Sequence, residues 1–265
     1  MLLAADIGNT NVTLGAFAGR RLLRVWRLPS DPDRSARSYG ADIRGLLERG
    51  FPGRGAALLV FGTVVPAMAR VFRNAASRSL GIPALEITSR SPMGLGVPAD
   101  IRRGVGVDRL LNALAAFRLY GGPAVVADFG TATTIDCVSR EGEFLGGAIL
   151  PGAKTASRAL ARFTAQLPEV ALSRPRRAIG RDTASCIRTG LYFGHAGMVD
   201  RVLRETLAQM RSEGRGRVRL LATGGLAGLF RKELSSPVRW VPDLTLQGLR
   251  LAQETVRGSC GQPCG

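Results

Sequence analysis

A short pattern that occurs twice constrains the fold of this chain more than any other feature. Residues 6–15 read DIGNTNVTLG, and residues 128–138 read DFGTATTIDCV. Each copy follows an apolar run, begins Asp-x-Gly, continues with small hydroxyl or amide residues and resumes a β-rich run. Each therefore predicts a strand, a tight turn and a second strand. One copy in each half predicts a duplicated domain, with halves of residues 1–117 and 118–265.

The alternation of strand and helix signals extends this interpretation to the whole chain. Helical spacing of apolar residues predicts helices over Arg109–Tyr120 and Met198–Met210, and Arg174–Arg181 reads as an exposed loop. Apolar runs bounded by Gly, Pro or Asp predict strands at Leu2–Ile7, Leu58–Phe61, Ala124–Ala127, Ile135–Val138 and Leu220–Ala222. Strands alternating with helices indicate an α/β architecture.

Composition excludes several classes of protein. Hydrophobic residues make up 45% and charged residues 22%, which indicates a globular rather than a disordered chain. One histidine and four cysteines exclude a His-rich metal site and a dense disulfide scaffold. We expect Cys137 and Cys186 to be buried thiols, and Cys260 and Cys264 to lie in a frayed terminus. His195 is expected to enter the predicted helix at Met198–Met210, with a role in capping or in interface packing.

The N-terminal residues and the length of the apolar runs indicate where in the cell the protein is located. The first residues have no basic leader and reach Asp6 after a short apolar run, unlike a secretory signal. No run approaches the roughly 18 apolar residues that span a bilayer. We therefore expect a soluble, cytoplasmic protein that does not enter a membrane.

The two Asp-x-Gly turns suggest how a nucleotide could be held. Backbone N–H groups in such a turn can converge on an anion, and nearby amide and hydroxyl side chains add neutral donors. Asp6 would repel phosphate directly, so it fits the site if Mg²⁺ lies between the two anions, directly or through water. Two facing copies would hold a polyphosphate between two lobes. Ordinary β-hairpin turns are the alternative interpretation. The neutral donors in these turns are Asn9, Thr10, Thr131, Thr133 and Thr134.

Two further segments carry candidate chemistry. In Gly106-Val107-Asp108-Arg109, a predicted helix N-terminus, Asp108 could accept a hydroxyl proton and Arg109 could pair with a carboxylate. The alternatives are an N-cap aspartate and a surface arginine. Thr223-Gly224-Gly225 follows a predicted strand and either brings backbone close to a ligand such as adenosine or simply reverses the chain.

These pieces, in this order, resemble the type III pantothenate kinases, and the resemblance covers nearly the whole chain. Members belong to the acetate and sugar kinase/Hsc70/actin superfamily. The resemblance implies an α/β fold of two duplicated ribonuclease-H-like (actin-like ATPase) domains with a nucleotide cleft between them. The motifs that carry it are DIGNT at the start, GTVVP at 62–66, GVDRLLNALAAF at 106–117, DFGTATTID at 128–136, GGAILPG at 146–152, AQLP at 165–168, Asp182-Thr183 with Gly190-Leu191-Tyr192, and TGG at 223–225.

The resemblance also implies an activity and the roles of particular residues. The activity is ATP-dependent phosphorylation of pantothenate to 4'-phosphopantothenate, the first step of coenzyme A biosynthesis, by a homodimer. Mg²⁺ would accompany ATP, and K⁺ or NH₄⁺ would serve as monovalent cation. By position, Asp108 matches the catalytic proton acceptor and Asp128 the monovalent-cation ligand, while Asp6 would meet Mg²⁺. The ATP-binding residues would be Asp6, Ile7, Gly8, Asn9, Thr10, Asn11, Val12, Thr13 and Thr131. The substrate-binding residues would be Gly106, Val107, Asp108, Arg109 and Thr183, the last of them across the dimer interface.

One departure from the family pattern and the net charge leave other functions open. The family's usual Tyr ahead of the Gly-x-Asp-Arg motif falls on Ala99, which keeps a same-fold kinase for another small hydroxy-acid as an alternative. The net charge of +17 suggests a nucleic-acid-binding or regulatory protein that retains the kinase fold, as do the arginine clusters at Arg20-Arg21, Arg174–Arg181 and Arg211–Arg219. The clusters hold few aromatic residues for stacking on bases, which favours the kinase.

Overall fold

The computed structural model describes residues 1–260, and their side chains through Gly258. Its strands are β1 (Leu2–Ile7), β2 (Asn11–Ala18), β3 (Arg21–Pro29), β4 (Leu58–Thr63), β5 (Ala84–Ile87), β6 (Ala124–Phe129), β7 (Ala132–Val138), β8 (Phe144–Pro151), β9 (Arg219–Thr223) and β10 (Arg239–Trp240). Its helices are α1 (Ala36–Gly50), α2 (Pro66–Asn74), α3 (Ala99–Arg102), α4 (Val107–Tyr120), α5 (Ala153–Phe163), α6 (Thr183–Thr189), α7 (His195–Ser212), α8 (Ala227–Phe230) and α9 (Leu244–Cys260). Two π-helical segments span Ala75–Leu80 and Gly190–Gly194.

The two halves of the chain build the same sheet. The first has the strand order β3-β2-β1-β4-β5, and the second has β10-β9-β6-β7-β8, the same order read from its other edge. In each, an antiparallel meander of three strands is followed by two strands parallel to the first. The echo between the two Asp-x-Gly segments is thus a structural repeat of whole sheets.

Register places the two aspartates at equivalent positions. Asp6 on β1 pairs with Thr13 on β2 and, across the parallel side, with Gly62 on β4. Asp128 on β6 pairs with Thr134 on β7, and on its parallel side with β9 at Thr223. Both aspartates are the penultimate residue of a central strand, immediately before a turn.

Strand alternation decides which side chains enter each core. In the first sheet, Leu3, Ala5 and Ile7 are fully buried against α1 and α2, so Asp6 points to the other face. In the second sheet, Val125, Ala127 and Phe129 enter a core that α7 completes. Asp128 likewise points away from that core.

Contacts divide the chain into two compact units. The first is Met1–Ala115 together with the segment from Leu244 onward, and the second is Ala116–Asp243. The sequence predicts halves of residues 1–117 and 118–265. The main difference is that the segment from Leu244 onward belongs to the first unit instead of the second. Helix α9 packs on the first sheet, because its apolar face buries Leu246 against β2 and Leu249 against β4.

The predicted strands and helices are confirmed, but the predicted burial of one of the two cysteine thiols is wrong. The five predicted strands lie within β1, β4, β6, β7 and β9, the two predicted helices lie within α4 and α7, and residues 174–181 form neither helix nor strand. Cys137 is buried, but the prediction for Cys186 is wrong because it lies on the open face of the short helix α6. The expectation for Cys260 and Cys264 falls outside the described side chains. In residues 1–260 no helix is long and apolar enough to cross a membrane.

Candidate functional site

The first Asp-x-Gly turn is a tight, well-anchored reversal between β1 and β2. The Gly8 N–H donates to the Asn11 carbonyl over 3.0 Å and closes the turn. Ile7 and Val12 are buried beneath it, whereas Asn9 and Asn11 are exposed. The turn therefore presents amide side chains and backbone to solvent, with the Asp6 side chain half-buried at its base.

A second loop of the same unit lies beside this turn. The Val64 N–H donates to the Ile7 carbonyl over 3.2 Å, so the segment after β4 continues alongside the end of β1. The Thr63 hydroxyl accepts from the Val65 N–H at 3.0 Å, which fixes the start of α2. Through these two hydrogen bonds the GTVVP motif holds the end of β1 and the start of α2 in place, and so supports the turn.

Asp108 lies in the first turn of α4, and Gly106, two residues earlier, leaves room for its carboxylate. A Cβ at Gly106 would collide with Asp108 Oδ1 and lie 3.6 Å from Val64 Cγ1. Asp108 Oδ1 accepts the Arg109 N–H at 2.9 Å. Asp108 and Arg109 are both half-buried, at the end of a helix whose next residues are fully buried.

The surroundings of Asp108 tune its acidity. Burial raises the pKa of the Asp108 carboxyl above its ordinary value, while the N–H and the charge of Arg109 act to lower it; burial dominates. A carboxylate with a raised pKa binds a proton more readily than an exposed aspartate. This is the property that a general base requires.

The second Asp-x-Gly turn repeats the first with one residue fewer. The Gly130 N–H donates to the Ala132 carbonyl at 3.0 Å. Thr131 is exposed at its tip, and its carbonyl accepts the Thr155 hydroxyl at 2.6 Å. A Cβ at Gly152 would collide with the Thr131 carbonyl, so the start of α5 lies directly against this turn.

The Thr223-Gly224-Gly225 segment lies against Asp128. Gly224 has φ +90°, and a Cβ there would collide with Asp128 Oδ1 and lie 2.6 Å from the Phe129 nitrogen. The Leu226 N–H then donates to the Phe129 carbonyl at 3.1 Å. The sequence left this segment as either a ligand contact or a chain reversal, and the structure adds a close approach to the Asp128 carboxylate that only glycine permits.

Two of the threonines proposed as donors are engaged elsewhere. Thr133 is buried, with its hydroxyl 3.2 Å from His195 Nε2, because strand alternation turns it towards the core. The Thr134 hydroxyl donates to Asp136 Oδ2 at 2.8 Å. His195 begins α7 and packs near Phe129, and burial lowers its pKa. The expectation that it enters this helix is confirmed, and its ring packs in the core beside Phe230.

Thr183 lies apart from both turns in the chain, as the first residue of α6. It is exposed, and Asp182 before it caps the helix by accepting the Ser185 N–H at 2.8 Å. This hydrogen bond holds the pKa of Asp182 below its ordinary value. Ala99, where the family has an aromatic, is exposed at the start of α3.

The structure thus assembles the predicted residues within each unit. In the first unit the Asp6–Thr13 turn and the Gly106–Arg109 segment both adjoin the loop after β4, through Ile7 and Gly106. In the second unit Asp128 and the Thr223–Gly225 segment are in contact. Sequence reasoning missed Gly152 and Thr155, which support the second turn; the GGAILPG motif contains the first of them but carries no local signal of that contact.

Comparison with known proteins finds relatives along nearly the whole chain. A family model described as type III pantothenate kinase matches residues 2–205. A type III pantothenate kinase of Moorella thermoacetica is 42% identical over 255 residues, which cover 96% of this chain and 99% of that protein.

Solved structures share the fold at low identity. A conserved Campylobacter jejuni protein assigned to the Baf family of transcriptional activators superposes with a TM-score of 0.54, at 18% identity over 97% of this chain and 98% of that one. A ROK family glucokinase from Streptomyces griseus, in complex with glucose and AMPPNP, gives 0.50 at 14% identity, over 97% and 99%. The two mixed five-stranded sheets with their helices are the duplicated α/β ribonuclease-H-like fold.

We expect Asp108→Asn to stabilise the fold at neutral pH. Because the folded-state pKa of Asp108 lies above its unfolded value, its stabilising contribution is complete at low pH and is lost as pH rises through the folded pKa. The variant should therefore have a higher free energy of unfolding than wild type at neutral pH, and this difference should shrink as pH falls through that raised pKa. Urea unfolding of both proteins across a series of pH values measures it.

Asp182→Asn is the matched control, because the pKa of Asp182 is lowered rather than raised. Its carboxylate stabilises the fold above the unfolded pKa, and that contribution is lost as pH falls through the folded one. The substitution should therefore destabilise at neutral pH. A destabilised Asp108→Asn at neutral pH would contradict the raised pKa.

Proposed function

The chain belongs to the type III pantothenate kinase family, and from that premise we propose that Asp108 is the base of the reaction. As a member, the protein catalyses ATP-dependent phosphorylation of pantothenate in coenzyme A biosynthesis. In the proposed step the pantothenate hydroxyl oxygen attacks the γ-phosphorus, the bond to the β-phosphate oxygen breaks to release ADP, and the hydroxyl proton moves to an Asp108 carboxylate oxygen.

One observation carries this assignment. Asp108 is a half-buried carboxylate with a raised pKa, seated where Gly106 leaves space beside it. The raised pKa brings its proton affinity closer to that needed near neutral pH. The Arg109 side chain, also half-buried, would pair with the carboxylate of pantothenate, and Gly106 and Val107 would line the substrate beside it.

The first turn suits the phosphates of ATP, and we assign the residues from Asp6 to Thr13 to them. The described residues contain no group of three or more acidic, His or Cys side chains that could hold a metal ion. Mg²⁺ binds through one or two carboxylates, water and substrate phosphates. Asp6 would hold it, directly or through water, and the ion would neutralise phosphate charge. Thr131, exposed at the second turn, would contact ATP.

Asp128 is the proposed ligand of a monovalent cation, K⁺ or NH₄⁺. Its carboxylate is half-buried and lies directly against the main chain at Gly224, where a Cβ would collide with Asp128 Oδ1. Carboxylate and backbone carbonyl oxygens are suitable ligands for a hard cation. The cation would supply positive charge near the anionic substrate.

We also propose a homodimer that works in the cytoplasm, where ATP is available. Within the described chain, five of the eight exposed large apolar side chains lie between Ile149 and Met198, in the second unit. Phe163 and Ile179 are the most exposed, at 80% and 82%. Such side chains on one stretch of chain suit contact with a second copy. Thr183 lies in the same stretch, which supports its assignment to the pantothenate site of the partner.

We expect Asp108→Asn to lower kcat by at least about 100-fold, because the amide cannot accept the hydroxyl proton. ATP affinity, measured by calorimetry, should remain within about twofold because the phosphate turn is intact. Coupled ADP release with pantothenate, Mg²⁺ and K⁺ or NH₄⁺ measures turnover. In the wild type, kcat/KM should decline as pH falls through the raised pKa of Asp108, above the range of an exposed aspartate.

Asp33→Asn, an exposed turn aspartate, removes the same charge without touching α4 and should leave kcat unchanged. An Asp108→Asn enzyme with wild-type kcat would eliminate Asp108 as the base. Absence of pantothenate-dependent ADP release from the wild type would instead point to another hydroxy-acid as substrate.

Asp128→Asn should abolish activation by a monovalent cation. In the wild type we expect K⁺ or NH₄⁺ to raise kcat above its value in tetramethylammonium, because the methyl groups of that ion keep its charge away from a carboxylate ligand. In the variant, kcat should be the same in all three salts. The exposed Asp100→Asn serves as control, and retained K⁺ activation in Asp128→Asn would contradict the assignment.

A shared site predicts complementation between two inactive variants. Thr183→Arg should block pantothenate binding in the partner's site, and the exposed position should accept the side chain. In randomly mixed dimers of Asp108→Asn and Thr183→Arg, half are heterodimers, each with one intact site, so about a quarter of wild-type activity should return. Analytical ultracentrifugation checks the dimer. Activity no higher than that of the parents would place Thr183 outside a shared site.

A further inference from the structure

We propose that Gly248 on α9 is a positioning residue for Asp108: the close crossing of α9 and α4 at Gly248 fixes where the first turn of α4 lies. The proposal rests on the role assigned to Asp108 above. Helix α9 and the residues of α4 that contact it belong to the first unit, although they are far apart in sequence.

The two helices meet backbone to backbone at this crossing. A Cβ at Gly248 would collide with the Leu111 carbonyl oxygen, and would lie 2.7 Å from its carbonyl carbon and 2.9 Å from its Cβ. The obstacle is main chain, which cannot rotate away as the end of a side chain can. Ordinary contact begins at 3.4 Å, so even a methyl group requires the helices to separate by about 1 Å to clear the carbonyl oxygen.

A hydrogen bond joins the same helices one residue further along. The Thr245 hydroxyl donates to Asn112 Oδ1 at 2.8 Å. Asn112 is 1% exposed, so this hydrogen bond is shielded from water and removing its donor carries a cost in stability. The hydrogen bond therefore fixes how α9 lies along α4, while Gly248 fixes how closely it approaches.

The crossing also sets the depth of α4 against the sheet. A Cβ at Gly62 would lie 3.3 Å from Val107 Cγ1, 3.2 Å from Leu111 Cδ1 and 3.5 Å from Leu249 Cδ2. Both helices thus rest on β4 at the residue that pairs with Asp6. The position of α4 relative to the Asp6 strand is determined by one layer of contacts at two glycines.

Displacement at the crossing would reach Asp108. Leu111 lies three residues after Asp108, less than one turn away on the same helix, and Leu110 between them is fully buried. A shift of several tenths of an ångström there moves the carboxylate away from the attacking hydroxyl. Misplacement of about 1 Å can cost about 100-fold in rate.

Gly248→Ala tests the crossing. We expect kcat to fall about 10- to 100-fold with KM for ATP within about twofold of wild type, because the base moves while the phosphate turn does not. The acid limb of the kcat profile should move to lower pH, since separated helices admit water to Asp108. Arg109 is the charged group that acts on Asp108, and it stays on the same helix. Gly258→Ala, on the same helix and facing open space, is the matched control with unchanged kcat.

Thr245 supplies a second pair of variants in case Gly248→Ala does not fold. Thr245→Val keeps the shape and loses the donor, so kcat should fall several-fold at unchanged KM for ATP. Thr245→Ser keeps the hydroxyl and should restore wild-type kcat. A purely structural role would lower the midpoint of thermal unfolding without moving the pH profile.

The outcomes separate this proposal from the assignment of the base. If Asp108→Asn is inactive while Gly248→Ala keeps wild-type kcat and pH profile, the positioning role is wrong and the base stands. If Asp108→Asn retains activity, the base assignment fails whatever Gly248→Ala does. Equal losses of kcat in Thr245→Val and Thr245→Ser would also overturn the positioning role.

Discussion

The seating of helix α4 is the constraint on which the rest of the proposed chemistry depends. The seven residues that follow Arg109 are all buried, so this part of the helix has one packed position between β4 and α9. The carboxylate at its first turn is thereby held partly out of water, which raises the pKa of Asp108. Packing and acidity therefore have a common origin. The same burial that makes Asp108 a better proton acceptor makes its ionised form unfavourable for folding.

The duplicated sheet provides one scaffold for two different sites. Asp6 and Asp128 occupy equivalent positions before equivalent turns, yet the segments beside them differ. In the first unit a threonine-valine loop supports the turn, whereas in the second Gly224 brings main chain against the carboxylate. Repetition of the strand register therefore fixes where each aspartate lies, and the neighbouring loop decides what it can bind.

The net charge of +17 contributes little to this architecture. Most ion pairs of the protein are exposed, such as Arg158 with Glu169 and Arg201 with Glu205. Each exposed pair contributes about 0–1 kcal/mol to the free energy of unfolding. Residues 174–181 carry several arginines in a segment without helix or strand. A positive field of this kind would attract anionic ATP and pantothenate over a distance set by ionic strength.

The sequence by itself determined part of the local structure: five strands from their apolar runs, α4 and α7 from helical spacing, and both turns from Asp-x-Gly. These depend on residues close together in the chain, where periodicity and glycine chemistry act directly. Tertiary structure decided the rest, including the exposure of Cys186, the buried hydroxyl of Thr133 and the packing of α9 on the first sheet. Asn112 and Thr245 are 133 residues apart, and Gly248 meets Leu111 across a similar separation. No local pattern encodes such contacts, because they exist only once helices and sheets have packed together.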